Sequence, residues 1–177
     1  MISLNQLLES RDARAEHQKD LLGRFPGKSL LCLTVQLPGP EKRNEQSLAI
    51  AKAGVSAIRQ ALQPDYEELR DLETGYEGYF LVSLPALEAK RKAVEVEDNH
   101  PLGRLMDIDV LHGVPEKIQF SSAGVKAISR EEIGLAPRRC LLCENEVRYC
   151  MRAKTHTTSE LLERIKQILE EYELQTP

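Results

Sequence analysis

Two aspartates lie two residues apart in an alternating stretch near the middle of the chain. Asp107 and Asp109 are separated by Ile108 and flanked by Met106 and Val110. In a β-strand, residues two apart project from the same face, so this spacing predicts two carboxylates side by side. Ionised carboxylates at such short range repel each other unless a cation lies between them. A hard divalent ion such as Mg²⁺ prefers these oxygen ligands and would neutralise the charge that develops during phosphoryl transfer.

The aspartate pair also has a simpler interpretation, which is a strand with one solvated face. The alternation resembles the Asp–hydrophobic–Asp–hydrophobic element of the nucleotidyltransferase superfamily. That superfamily usually has a Gly-Gly or Gly-Ser pair upstream, whereas residues 94–99 contain no glycine. Glu97 and Glu116 are the candidates for a third carboxylate ligand, and the sequence does not rank them.

Three cysteines and a histidine form the second group that could do chemistry. Cys140, Cys143, Cys150 and His156 follow the spacing Cys-x2-Cys-x6-Cys-x5-His, and the fourth cysteine, Cys32, is far away. A Cys-x-x-Cys pair can bind one side of a tetrahedral Zn²⁺, and the third cysteine and the histidine could complete the shell. Cys150 and His156 follow the Cys-x-x-Cys pair after fewer residues than the dozen or more that separate the two ligand pairs of a zinc ribbon. The alternative is that the thiols are buried as small hydrophobic groups.

Positive charge is concentrated around the same cysteines. Residues 138–154 hold five basic residues against two acidic ones, a local charge of +3 in a chain whose net charge is −4. Such a patch suits an anionic ligand, although charge clusters are also common on solvated faces. The basic residues are Arg138, Arg139, Arg148, Arg152 and Lys154.

The surrounding sequence predicts one domain over residues 1–177, with a Cys-rich segment at 138–156 and a C-terminal helix. Strands and helices alternate, so the fold class is α/β or α+β, with a mixed sheet flanked by helices. Helical periodicity covers residues 3–24, 44–62 and 85–97, a short helix follows Ser129, and the last helix begins at Thr157. Predicted strands cover residues 29–36, 75–84, 104–112 and 117–121.

Composition excludes several classes of function. The chain of 177 residues is 41% hydrophobic and 29% charged, which is typical of globular proteins and not of disordered ones. Its net acidity disfavours a nucleic-acid-binding protein. No apolar run approaches the roughly 20 residues of a membrane span, and the N-terminus lacks the features of a signal peptide. We therefore expect a cytoplasmic protein that binds neither membrane nor nucleic acid.

Two long motifs resemble one known family. Residues 100–110, His-Pro-Leu-Gly-Arg-Leu-Met-Asp-Ile-Asp-Val, look like the signature of the apo-citrate lyase phosphoribosyl-dephospho-CoA transferases, also called holo-(citrate lyase acyl-carrier-protein) synthases. Residues 128–130, 135–143 and 150–152, together with His156, are similar too. Weaker agreement occurs at residues 11–14, 38–42 and 74–75, so the resemblance covers nearly the whole chain.

The resemblance implies a defined reaction. This family transfers a phosphoribosyl-dephospho-CoA group from its triphosphate precursor to a serine of the acyl carrier (gamma) subunit of citrate lyase, with release of diphosphate. The serine hydroxyl attacks the innermost phosphate, as in nucleotidyltransferases, so a nucleotidyltransferase-like fold and a Mg²⁺ ion are expected. Asp107 and Asp109 are then the candidate catalytic residues and metal ligands, and Gly103 would let the backbone approach a phosphate. The candidate phosphate-binding residues are Arg104, Arg138, Arg139 and Arg152.

Two other functions remain open at this point. A zinc-binding protein-interaction module would contain stoichiometric zinc and would not require Asp107 or Asp109. A transferase that loads the carrier protein of a malonate decarboxylase would use the same prosthetic group on a different acceptor.

Overall fold

The computed structural model describes residues 2–113 and 125–175, which form a five-stranded sheet and five α-helices. The strands are β1 (Ser29–Val35), β2 (Tyr66–Leu72), β3 (Gly75–Val82), β4 (Met106–Gly113) and β5 (Val125–Ala127). The helices are α1 (Leu4–Arg24), α2 (Glu45–Leu62), α3 (Ala86–Asn99), α4 (Val147–Ala153) and α5 (Thr158–Gln175). Two 3₁₀ turns cover Gly103–Leu105 and Glu131–Ile133.

The strands are ordered β2-β3-β1-β4-β5, and every strand pair in the described ranges is antiparallel. The fold class is therefore α+β, and the expectation of a mixed sheet is corrected. Strands β3 and β4 do run in the same direction and are connected through α3. Because β1 lies between them, they never pair with each other, which is the split β-α-β arrangement. This topology does not identify a nucleotidyltransferase-like fold.

The two faces of the sheet bury different sets of side chains. The larger core contains Met106, Ile108 and Val110 of β4 and packs against α2, α3 and α5. The smaller core, which includes Cys32 and Leu111, packs against α1. The predicted alternation of β4 is thus confirmed, because its apolar residues enter the larger core and its aspartates project from the opposite face.

Local sequence signals determine where the long helices begin. Ser3 caps α1 and Asn44 caps α2, each through a reciprocal capping box. Thr157 and Glu160 form the same arrangement at the start of α5, with Glu160 N–H donating to Thr157 Oγ1 at 3.2 Å. A side-chain acceptor at this position satisfies one of the N–H groups that a helix start leaves unpaired. These three starts agree with the sequence prediction.

Three elements are absent from the sequence prediction: β2, the short strand β5, and α4. The edge strand β2 is rich in charged residues, which is typical of strands that must avoid pairing with another molecule. Helix α4 has only seven residues and lies within the cysteine segment. The strand expected over residues 104–112 begins at Met106, after a 3₁₀ turn. The strand expected over residues 117–121 lies outside the described residues.

Within the described ranges, none of the helices combines the length and the apolar character that a membrane span requires.

Gly103 allows the 3₁₀ turn before β4 to contact the end of α3. A Cβ atom at this position would lie 2.3 Å from the backbone oxygen of Glu97 and 2.8 Å from that of Val96. Both are backbone atoms that cannot move independently. The structure therefore gives this glycine a packing role, and its expected approach to a phosphate stays a prediction.

We expect Gly103→Ala to lower the free energy of unfolding by about 1–3 kcal/mol or more, because the added methyl overpacks this contact. Urea denaturation followed by far-UV circular dichroism would measure the change. Gly23→Ala is the matched control, since a Cβ placed at Gly23 in helix α1 would meet nothing within 4 Å apart from its chain neighbours and the backbone of its own helix. The control should be neutral or slightly stabilising. Equal stability of the two variants would contradict the packing role.

Candidate functional site

A cleft of about 1160 Å³ opens beside the incompletely paired edge of β4. Strand β5 pairs only with Leu111, His112 and Gly113, so residues 106–110 have no strand partner on this side within the described residues. The walls of the cleft come from the segment after β1, from α3, from the cysteine segment and from the first turns of α5. Ligand-binding sites usually occupy concave surfaces, and the volume of this cleft lies just above their usual range.

Charged side chains satisfy the free backbone edge of β4. Lys90 Nζ donates to the Ile108 carbonyl at 3.2 Å, and the Ile108 N–H donates to Glu97 Oε1 at 2.9 Å. One N–H of the Arg138 guanidinium donates to the Met106 carbonyl at 2.9 Å. Lys90 and Glu97 are buried. They replace the missing strand and thereby hold rigid the part of β4 that carries the two aspartates.

Glu97 also binds two arginines that line the cleft. Its Oε1 lies 2.6 Å from the Arg138 guanidinium, and its Oε2 accepts a hydrogen bond from Arg130 at 3.0 Å. Only 3% of Glu97 is exposed to solvent. Because both carboxylate oxygens are engaged, Glu97 positions these arginines and is a poor candidate for the third metal ligand. Glu116, the other candidate, lies outside the described residues.

Asp107 and Asp109 both line the cleft but have different surroundings. Gln36 Nε2 donates to Asp107 Oδ2 at 2.7 Å, and the Arg138 guanidinium lies 4.0 Å from Asp107 Oδ1. Asp109 keeps solvent access. Desolvation by the walls of the cleft, together with repulsion from Asp107, raises the pKa of Asp109 above its ordinary value, and nearby Lys90 opposes the shift. A cation between the carboxylates would relieve this repulsion.

The cleft has an excess of positive charge. Among the described residues, eight basic and five acidic side chains line it. Burial and the proximity of Arg138 lower the pKa of Arg104, as expected where cations accumulate. Burial also lowers the pKa of Lys42. The basic residues are Lys42, Lys90, Arg104, Arg130, Arg138, Arg139, Arg148 and Lys154.

The four predicted phosphate-binding arginines do not form one group. Arg104 lines the cleft and donates to the carbonyls of Arg139 and Cys140 at 2.6 and 3.1 Å. Arg138 is held by Glu97, whereas Arg139 is largely exposed and pairs with Glu144. Arg152 is exposed on α4 and is not among the residues that line the cleft.

The structure does bring the four predicted zinc ligands together. The ligand atoms of Cys140, Cys143, Cys150 and His156 all lie within 4.8 Å of one another. Cys143 Sγ is 3.5 Å from Cys150 Sγ and 3.3 Å from His156 Nε2. This group lies in the wall of the cleft, because Cys140, Cys150 and His156 also line it.

Sequence reasoning missed three side chains that contribute to the cleft: Lys90, Arg130 and Gln36. One signal was available for Lys90, because Lys90 and Glu97 lie seven residues apart and so on the same face of α3. Buried alanines and valines surround them on that face. Charged residues on the apolar face of a helix require specific partners. No comparable signal marks Gln36.

Comparison with known proteins places this geometry in context. Residues 2–172 match the family model described as apo-citrate lyase phosphoribosyl-dephospho-CoA transferase. A protein of Streptococcus pyogenes serotype M18, named as a probable member, is 36% identical over 174 residues, covering 97% of this chain and 87% of the relative. A transferase of the same name from Escherichia coli O7:K1 is 39% identical over 173 residues, with 95% and 88% coverage. One from Shigella boydii serotype 18 gives the same values.

Proposed function

Since the chain belongs to the apo-citrate lyase phosphoribosyl-dephospho-CoA transferase family, we propose that it attaches the phosphoribosyl-dephospho-CoA group to a serine of the gamma subunit of citrate lyase. The donor is the triphosphate precursor, triphosphoribosyl-dephospho-CoA, and diphosphate leaves. The chain is a transferase, and its partner is an acyl carrier protein. A cytoplasmic location remains a prediction from the sequence.

The observation that carries this proposal is the aspartate pair beside a large, positively charged cleft. The donor is a bulky nucleotide-like molecule with a triphosphate, and the cleft of about 1160 Å³ is larger than most small-molecule sites. Guanidinium groups suit phosphate oxygens through charge-assisted hydrogen bonds. Arg104, Arg130 and Arg138 line the same cleft as Asp107 and Asp109. Anion binding and acid–base chemistry would therefore occur in one place.

The residues present fit a Mg²⁺ ion at the aspartates. Their carboxylates project from the same face of β4, and the raised pKa of Asp109 reflects in part the unrelieved repulsion from Asp107. Oxygen ligands of this type, together with water and substrate phosphates, form the usual coordination of Mg²⁺. An Mg²⁺ ion bound at the two aspartates would neutralise negative charge on the triphosphate.

The side chains of the chain itself perform the remaining tasks. Asp109 accepts the proton of the carrier serine hydroxyl, because its carboxylate is open to solvent. Asp107 is held by Gln36 and lies near Arg138, so it is better suited to a fixed ligand role. Arg138, itself fixed by Glu97, orients the phosphates for in-line attack and stabilises charge on the departing diphosphate.

Intact-mass analysis of the carrier subunit tests the proposal. Apo carrier is incubated with the protein, Mg²⁺ and triphosphoribosyl-dephospho-CoA, and we expect the carrier mass to increase by one phosphoribosyl-dephospho-CoA group. A carrier in which the acceptor serine is replaced by alanine is the control and should remain unmodified. Omission of Mg²⁺ should abolish the reaction, and addition of Mg²⁺ to the same sample should restore it.

A second carrier, from a malonate decarboxylase, is tested in parallel because it accepts the same prosthetic group. Modification of the malonate decarboxylase carrier alone would contradict the proposed acceptor while retaining the chemistry. Failure to modify either carrier, with folded protein and all components present, would contradict the transfer reaction itself.

A further inference from the structure

The cysteine segment has almost no hydrophobic core of its own. Between residues 131 and 160, all of which the structure describes, only Cys140 and Cys150 are buried. Large apolar residues in this stretch, including Tyr149 and Met151, are 61% and 70% exposed. A segment of this length that cannot bury apolar surface needs another source of stability, such as a bound metal.

We propose that Cys140, Cys143, Cys150 and His156 bind a structural Zn²⁺ ion that holds this wall of the cleft in place. Zinc–thiolate bonds of about 2.3 Å in a tetrahedral site place two sulfur atoms about 3.8 Å apart. The observed separation of 3.5 Å between Cys143 Sγ and Cys150 Sγ, and the 4.8 Å limit over all four ligand atoms, agree with this geometry.

The backbone of the segment is already folded around the four ligands. Cys140 N–H donates to the Asn145 carbonyl at 2.7 Å, and Val147 N–H donates to the Arg138 carbonyl at 2.9 Å. These bonds close a tight turn that carries Cys140 and Cys143, while α4 supplies Cys150. The side chains therefore converge without any rearrangement of the chain.

The site is closed, which argues for a structural ion and against a catalytic one. Three thiolates and one imidazole complete a tetrahedral shell and leave no position for water or substrate. Cys140 and Cys143 come from the turn before α4, Cys150 comes from α4, and His156 comes from the residues just before α5. The ion would therefore cross-link these three parts of the segment. Metal binding would then contribute directly to the folding of this segment.

The connection to the cleft runs through the residues next to Cys140. Arg138 and Arg139 immediately precede this ligand, and Arg138 is the arginine held by Glu97 beside the aspartates. Arg104 donates to the carbonyls of Arg139 and Cys140, so its side chain also holds the backbone next to this ligand. A zinc ion bound to Cys140 would therefore fix the position from which the Arg138 side chain extends into the cleft.

The first test is metal content, which does not depend on any assay of activity. Protein purified without chelators should contain one Zn²⁺ per chain by inductively coupled plasma mass spectrometry. Cys143→Ser and His156→Ala should lose nearly all of the zinc. Cys32→Ala is the matched control, because Cys32 is buried in the core under α1 and should retain full zinc content. Substitution by Co²⁺ should give the intense visible absorption of a tetrahedral thiolate site in the wild-type protein.

The second test uses the wild-type chain and so does not require the variants to fold. Removal of zinc with a chelator should speed tryptic cleavage at the exposed Arg148, Arg152 and Lys154 at least about tenfold, because the segment opens locally. The far-UV spectrum of the rest of the chain should change little, and added Zn²⁺ should restore protection. Metal-free protein that is equally protected, or a Cys143–Cys150 disulfide in freshly purified protein, would overturn the proposal.

Discussion

Asp109→Asn is expected to slow carrier modification by about 10²- to 10⁴-fold, the usual contribution of a positioned general base. The substitution keeps the shape of the side chain but removes the group that would accept the serine proton. It also removes one of the two carboxylates proposed to bind Mg²⁺. Initial rates of mass gain on the carrier, measured at saturating donor, would give the loss directly.

The control for this substitution makes the same chemical change on the opposite edge of the sheet. Asp71 lies on β2, is exposed and pairs with Arg43, so Asp71→Asn should leave the transfer rate within about twofold of wild type. Equal rates for wild type and Asp109→Asn would contradict the catalytic assignment. Loss of activity with the Asp71 substitution would show that the assay reports stability instead of chemistry.

The pH dependence follows from the same pKa shift. The pKa of Asp109 is raised above the ordinary 3.8, so its carboxylate becomes the competent base only as the pH rises through that raised value. Because Mg²⁺ between the carboxylates would lower this pKa again, we expect the apparent pKa on the acid side of the rate profile to fall as the Mg²⁺ concentration is increased. A raised pKa in the folded state also lowers stability as the pH rises through it, so Asp109→Asn should not reduce, and should slightly increase, the melting temperature at neutral pH.

Glu97→Gln is expected to lower the free energy of unfolding by about 3–5 kcal/mol, the usual effect of breaking a buried ion pair. The change leaves the charges of Arg130 and Arg138 without their shared partner. It also weakens the acceptor of the Ile108 N–H, which holds the open edge of β4. Because the chain has no tryptophan, urea unfolding should be followed by far-UV circular dichroism.

Glu95→Gln is the matched control for this prediction, because Glu95 lies on the same helix and is exposed. Its free energy of unfolding should stay within about 0.5 kcal/mol of the wild-type value. If Glu97→Gln were as stable as this control, the proposed role of Glu97 at the edge of β4 would be wrong. A folded Glu97→Gln protein should also bind the triphosphate donor more weakly, because Arg138 would no longer be oriented.

Much of the secondary structure could be read from the sequence, because its signals are local. The capping residues Ser3, Asn44 and Thr157 act within one helical turn, so the starts of α1, α2 and α5 agreed with prediction. The alternation around Asp107 and Asp109 depends only on the two-residue period of a strand, and it correctly assigned their face. The spacing of the cysteines and His156 likewise indicated a common cluster.

The tertiary structure decided what lies opposite those residues, since contacts between distant segments leave no periodic trace in the sequence. Insertion of β1 between β3 and β4 made the sheet antiparallel, and the short β5 left the edge of β4 open. Only the packing of α3 against that edge gave Glu97 its arginine partners. The same packing explains why residue 103 is a glycine. The close approach of its backbone to the end of α3 depends on the fold and not on the residues next to it in the sequence.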